Sequence, residues 1–176
     1  MLRRLLKFAA GLAMGVFVWW WTVPVYLEVL AREGVIVRAD SRYRDIEMVT
    51  RERSLFVRSA TGLFPPITIP GDELTYNVIL LFALFAMNPS PLGARNLRRF
   101  AISMLILLAL HPIGLLISVE STYADRVGKW SEEQYGNFAA NAWLIMETFW
   151  RLVGMFGVAF ACWWGMGGER SVTVDG

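Results

Sequence analysis

The stretch Asn141–Trp164, NAWLIMETFWRLVGMFGVAFACWW, decides how the chain is read. It has the length and apolar content of a membrane-spanning helix, which takes about 20 mainly apolar residues. Yet Glu147 and Arg151 lie inside it, at a depth where charge is expensive. With entry near Ala139 and a rise of about 1.5 Å per residue, Glu147 is expected about 12 Å deep and Arg151 about 18 Å, within a hydrocarbon core of about 30 Å. Spaced four apart, they share one helix face and can pair. That face continues through Gly154, Val158, Ala161 and Gly165, whose small side chains predict the close approach of a neighbouring helix. Asn137 and Asn141 extend its polar side toward the surface.

An intramembrane pair of this kind has two readings. It can lock a helix bundle or a subunit interface, or it can belong to a proton or ion path. A path calls for a succession of ionisable groups, and the span holds one pair. The structural reading is therefore preferred.

Composition places this segment among others of its kind. The chain has 176 residues, 56% of them hydrophobic and 14% aromatic, with a mean hydropathy of +0.45. Four apolar runs account for the excess, so the expected fold class is membrane α-helical with four transmembrane helices: Phe8–Leu30, Leu74–Leu92, Phe100–Val119 and Ala139–Met166. The second is the shortest as an uninterrupted run, Val78–Met87, and it ends in Asn88-Pro89. A net charge of +2 excludes a nucleic-acid-binding surface as the organising feature. The lone Cys162 excludes a disulfide framework or a thiolate metal cluster.

Orientation follows from the basic residues of the short flanks. Arg3, Arg4 and Lys7 precede the first span, and Arg95, Arg98 and Arg99 lie between the second and third. Both termini are expected in the cytoplasm of a bacterium, with the chain in its inner membrane. After Trp19-Trp20-Trp21 no small-x-small cleavage site follows, so residues 1–30 read as an uncleaved signal-anchor helix, its tryptophans in the interfacial belt.

Residues 31–73 then form a periplasmic insert. Gly34–Ala39, Arg44–Thr50 and Ser54–Ser59 are strand-like, predicting a small three-stranded antiparallel sheet between helices 1 and 2. Such a meander is too small to bury a core by itself and is expected to lean on the membrane, the bundle or a partner. Residues 74–176 supply three further helices and a cytoplasmic tail. Ser131-Glu132-Glu133-Gln134 has the form of a capping box, predicting the start of the fourth helix.

Three further features bear on function. His111, followed by Pro112, lies midway along the third span and is the one candidate cofactor-binding residue, since a buried imidazole can ligate a haem or pigment metal. It can equally hydrogen-bond between helices, and with no second histidine no cofactor is assigned. Gly11-x-x-x-Gly15 in the first span is a small-xxx-small packing motif. No phosphate loop, nucleophile elbow or metal-spaced cluster is present in the sequence, so neither catalytic nor metal-ligating residues are assigned.

The segment Tyr76–Ile117, YNVILLFALFAMNPSPLGARNLRRFAISMLILLALHPIGLLI, resembles part of the exosortase and archaeosortase membrane proteins, and more closely the small membrane proteins that accompany an exosortase. The resemblance rests on a Tyr-Asn-apolar entry, a Pro-containing turn with several Arg, and a long Leu-rich helix. It implies, for the enzymes, a Cys, Arg and His set near the outer face that cleaves sorting signals. Here Cys162 is at the cytoplasmic end of the fourth span, away from His111, and the resemblance then implies the non-catalytic companion. The expected function is a non-catalytic accessory or scaffold subunit of a larger integral membrane complex, whether a sorting system or a photosynthetic or respiratory assembly, in contact with membrane lipid. The alternatives are a sorting-peptidase-like enzyme, or a transporter or proton-path component using Glu147 and Arg151.

Overall fold

The structure, a computed structural model, describes residues 2–32, 37 and 45–166. Three helical stretches dominate it: α1, Leu2–Arg32; α4, Ala94–Asp125; and Asn137–Gly165, composed of α6 (Asn137–Phe149), a π-helical turn (Trp150–Gly154) and α7 (Met155–Gly165). Each is long and apolar enough to cross a membrane. Between them lie α2 (Gly71–Thr75), α3 (Asn77–Ala86) and α5 (Lys129–Gln134).

The second expected span, Leu74–Leu92, is not among the three. Its helix α3 has ten residues, about 15 Å at the ordinary rise and half a hydrocarbon core. The helix ends at Ala86, just ahead of Asn88-Pro89. Together, however, α2 and α3 run antiparallel along most of α1. Gly71 meets Leu27, the Trp19 indole N–H donates to Thr75 Oγ1 at 3.0 Å, and Gly15 faces Ile79. Gly11 then faces Phe82, Ala83 and Ala86, and Lys7 Nζ donates to the carbonyls of Asn88 and Pro89 at 3.0 and 3.2 Å. The chain thus returns to the end of the bundle where it started. We call this the Lys7 end, and the opposite one the sheet end.

Three strands form the sheet: β1 (Ile46–Arg51), β2 (Ser54–Ser59) and β3 (Ile67–Pro70), in antiparallel order β1-β2-β3. The expected strands 44–50 and 54–59 correspond to β1 and β2, while of 34–39 only Val37, buried in the core beneath the sheet, is among the described residues. The third strand is Ile67–Pro70, where Ile-Thr-Ile alternates between the faces with burial to match. Arg51 pairs with Ser54 across a two-residue turn in which Glu52 takes a left-handed φ of 54°.

One face of the sheet (Ile46, Leu55, Val57, Ile67, Ile69) packs on Val23, Leu27 and Leu30 of α1 and on Tyr123 of α4 in one core. Tyr123 also donates its hydroxyl to the Pro65 carbonyl at 3.1 Å and packs against Phe64 and Trp130. The insert leans on the bundle for its core, since a sheet this small has none of its own. A second core at the Lys7 end joins Leu81, Leu84 and Phe85 of α3 to Leu107, Ala159 and Trp163.

The 131–134 segment does not begin the last long helix. It sits in the short α5, where the Ser131 hydroxyl accepts from the Val127 N–H at 3.0 Å, and Gly136, extended at φ −70° and ψ 156°, separates it from α6.

At the start of the sheet, Asp45 accepts from the Ser59 hydroxyl at 2.8 Å and from the Thr61 hydroxyl, and these bonds hold its carboxyl below the usual aspartate range. A group whose folded pKa is depressed contributes stability above its unfolded pKa and loses it as pH falls through the folded one. Amide-exchange protection of the β1–β2 hairpin is therefore expected to hold near neutrality and to weaken in acid, below about pH 4. Asp45→Asn should remove that acid-dependent step. Protection that falls equally in acid with and without the carboxyl would contradict it.

Candidate functional site

The best-defined polar constellation lies where α2, α4 and the π turn meet. Glu147 is buried on α6. Its carboxylate takes the Arg126 guanidinium at 3.0 Å and that of Arg151 at 3.7 Å, while Arg151 reaches Glu73 at 2.9 Å. The expected Glu147–Arg151 pair is thus the longest link in an alternating, neutral chain: Arg126, Glu147, Arg151, Glu73. The Glu147 side chain is 5% exposed, whereas those of Arg126, Arg151 and Glu73 are 46%, 34% and 35% exposed. The chain therefore runs from a buried acid out to half-exposed groups at the mouth of the bundle, beside the sheet. Coulomb attraction between the neighbours offsets the desolvation of Glu147, which a single arginine would do less well.

The π turn has an identifiable cause. The Tyr76 hydroxyl donates to the Arg151 carbonyl at 2.8 Å, and the Met155 N–H bonds to Trp150 O in place of Arg151 O. A side-chain donor has entered the helical ladder and pushed it by one residue. Arg151's main chain is thereby held by α2's C-terminal neighbour and its side chain by Glu73 within α2.

That extra residue rotates everything beyond it by about 100°. The face expected at Gly154, Ala161 and Gly165 is displaced accordingly, and the buried positions are Met155, Ala159 and Trp163. Ala161 and Gly165 point outward, and a Cβ at Gly165 would meet nothing within 4 Å. Gly154 faces the ring of Trp150 from its own helix. None of these three residues is buried, whereas Gly11 and Gly15 are, against α3.

His111 is 1% exposed and sits between helices. Its Nε2 lies 3.0 Å from Asn77 Oδ1 and its Nδ1 2.8 Å from the Tyr26 hydroxyl. Because Asn77 Oδ1 is an acceptor, Nε2 carries the proton, and in the neutral ring Nδ1 accepts from Tyr26. Both nitrogens are thus hydrogen-bonded to side chains of other helices. Among the described residues no group of three or more His, Cys, Asp or Glu could hold a metal ion. Cys162 lies beside Trp163, whose indole N–H donates to Asn88 Oδ1 at 3.1 Å at the Lys7 end, so the thiol and the imidazole have different neighbours.

Two helix-internal prolines follow a common rule. A proline removes the N–H that would meet the carbonyl four residues earlier. Pro112 frees Leu108 O, which the Tyr26 hydroxyl approaches at 3.4 Å, and Pro24 frees Trp20 O, which Arg53 Nη2 approaches at 3.4 Å with its guanidinium over the Trp20 ring. Near the C-terminal end of α4, buried Glu120 accepts from the Tyr135 hydroxyl at 2.8 Å.

Sequence reasoning found Glu147, Arg151 and His111 and missed their partners Arg126, Glu73, Tyr76, Tyr26 and Asn77. The partners lie on other elements, and periodicity reports only a residue's own helix. Pro112 was a usable signal, because it announces an orphan carbonyl that some donor must reach. Matching the sequence against protein-family models and curated proteins, and the fold against solved structures, finds no counterpart in any of the three.

Proposed function

We propose that the chain is a non-catalytic accessory subunit of a larger bacterial inner-membrane complex. In this reading it crosses the membrane four times, α2 and α3 together forming a broken second crossing. Both termini face the cytoplasm, and residues 31–73 lie in the periplasm. The resemblance of residues 76–117 to the small companions of exosortases agrees with it.

The observation that carries this reading is closure. Every buried acid and the buried imidazole among the described residues ends on a protein partner: Glu147 on Arg126 and Arg151, Glu120 on Tyr135, His111 on Tyr26 and Asn77. A role in chemistry or transport would call for a substrate, ion or water within hydrogen-bond reach of these groups. Groups locked to one another instead fix the register of helices. Outward, α7 presents Gly157, Ala161 and Gly165 in a row spaced by four, a surface suited to a helix of another subunit.

The test is the size and content of the particle released from native membranes by mild detergent. An accessory subunit is recovered in a particle heavier than its own 19.9 kDa with other integral membrane polypeptides in fixed ratio. Deleting its gene should reduce the amount of those polypeptides in the membrane. Recovery of the chain alone, with the others assembled normally in its absence, refutes the reading.

A further inference from the structure

At the Lys7 end an apolar cleft of about 280 Å³ opens between α1, α3 and the turn into α4. Gly11, Met14, Phe82, Ala86, Leu92 and Phe100 line it. Its mouth is formed by side chains that water would not favour: Leu92 is 83% exposed and Leu97 47%. Apolar surface left uncovered at a polar boundary marks a place that something else covers.

The charge around the cleft says what. Arg3, Arg4, Lys7, Arg95, Arg98 and Arg99 gather at this end, and residues 2–11 and 86–100 contain no Asp or Glu. Lys7 stands one helical turn before Gly11 and two before Met14 on the same face of α1, and its ammonium sits on the Asn88 and Pro89 carbonyls, between Ala86 and Pro91 of the cleft wall in sequence. It has three N–H donors. Two go to the Asn88 and Pro89 carbonyls, which orient the ammonium without neutralising it. The third has no acceptor among the described residues.

We infer that this cleft holds one acyl chain of an anionic diacyl phospholipid, with the headgroup phosphate on Lys7. The apolar walls take the chain, the third N–H of Lys7 takes a phosphate oxygen, and the surrounding arginines favour an anionic headgroup over a zwitterionic one. Basic pockets between transmembrane helices bind such headgroups on the cytoplasmic side, the side to which the proposed orientation assigns this end. The inference rests on the membrane reading and is independent of the partner complex.

The test is native mass spectrometry of the full chain in detergent, titrated with phosphatidylglycerol or phosphatidylcholine of matched chains. Phosphatidylglycerol should bind at the lower concentration. Lys7→Gln should weaken it about fivefold, the effect of one basic charge near a membrane surface, and should weaken phosphatidylcholine, whose phosphate is offset by its choline, by less, so that the preference between the two lipids narrows. Met14→Trp, at an exposed position on the wall of the cleft, should weaken both lipids and keeps the test decisive if Lys7→Gln does not fold. Arg58→Gln, on the sheet, should change neither. Equal binding of the two lipids by the unsubstituted chain overturns the inference. So does an Arg58→Gln effect as large as that of Lys7→Gln, or competition by glycerol phosphate, which has no acyl chain, at the same concentration as the lipid.

Discussion

Replacing Arg126 and Arg151 together by methionine is expected to lower the stability of the folded chain by about 3–5 kcal/mol, the cost of leaving a buried charge without its partners. The asymmetry of the ionic chain sets this expectation. Glu147 is 5% exposed and cannot regain water, while the two arginines are 46% and 34% exposed and can. Either single arginine substitution leaves Glu147 one partner and should cost only about 1 kcal/mol, as for a pair with solvent access. Glu147→Gln removes the buried charge itself and releases both arginines toward solvent. It should cost little alone, and added to the double arginine substitution it should restore most of the lost stability. Denaturant unfolding of the variants in one detergent measures the set. If Glu147→Gln costs as much as losing both arginines, burial of the acid is not what governs this network.

The second large effect is expected at Gly11. A Cβ there would lie 2.5 Å from Ala86 Cβ and 2.8 Å from the Phe82 carbonyl oxygen. Neither neighbour is the free end of a flexible side chain, so α1 and α3 must separate along their contact. Gly11→Ala is expected to cost about 1–3 kcal/mol, the range for overpacking a closely packed interior. The gain in helix propensity, about 1 kcal/mol for Gly to Ala, offsets part of it. Gly157→Ala, where a Cβ meets nothing within 4 Å, should show that gain alone in the isolated chain. A Gly11→Ala variant as stable as Gly157→Ala would contradict the packing of α1 on α3.

What the sequence made legible follows from where each signal is encoded. Length and apolar content are properties of a continuous segment, and the three long helices were readable that way. The second segment was overestimated because its apolar letters, counted from Leu74 to Leu92, do not register the break at Tyr76 or the helix end before Asn88-Pro89. In the insert, β-branched alternation located Ser54–Ser59 to the residue and placed β1 within two residues. Ile67–Pro70 lay outside the three strand-like runs because Pro65-Pro66 stands directly before it and proline ends strand pairing. Here Pro70 is the last residue of a strand, and its missing N–H is tolerated there.

The candidate site was half legible for a related reason. Glu147 and Arg151 announce themselves by being charged in an apolar run. Their partners announce nothing, since Arg126 and Glu73 read as ordinary interfacial charges. The phase of the small-residue face is reset by a single hydroxyl: Tyr76 takes the Arg151 carbonyl and shifts the helix by one residue. Helical periodicity is reliable only as far as the ladder is regular, and no local pattern in residues 150–154 encodes a donor that arrives from position 76.

The four-crossing reading depends most on the return of the chain through the bundle at α2 and α3, which brings Leu92 and, with the last long helix, Met166 to the same end of the bundle as Lys7. Labelling by a membrane-impermeant thiol reagent tests it directly. In a Cys162→Ser background, single cysteines are placed at the exposed positions Leu63 and Leu92 and at Gly176. In intact spheroplasts Leu63→Cys should react, while Leu92→Cys and Gly176→Cys should react only after the membrane is permeabilised. Reaction of Leu92→Cys and Gly176→Cys in intact spheroplasts would mean three crossings rather than four and would contradict the account.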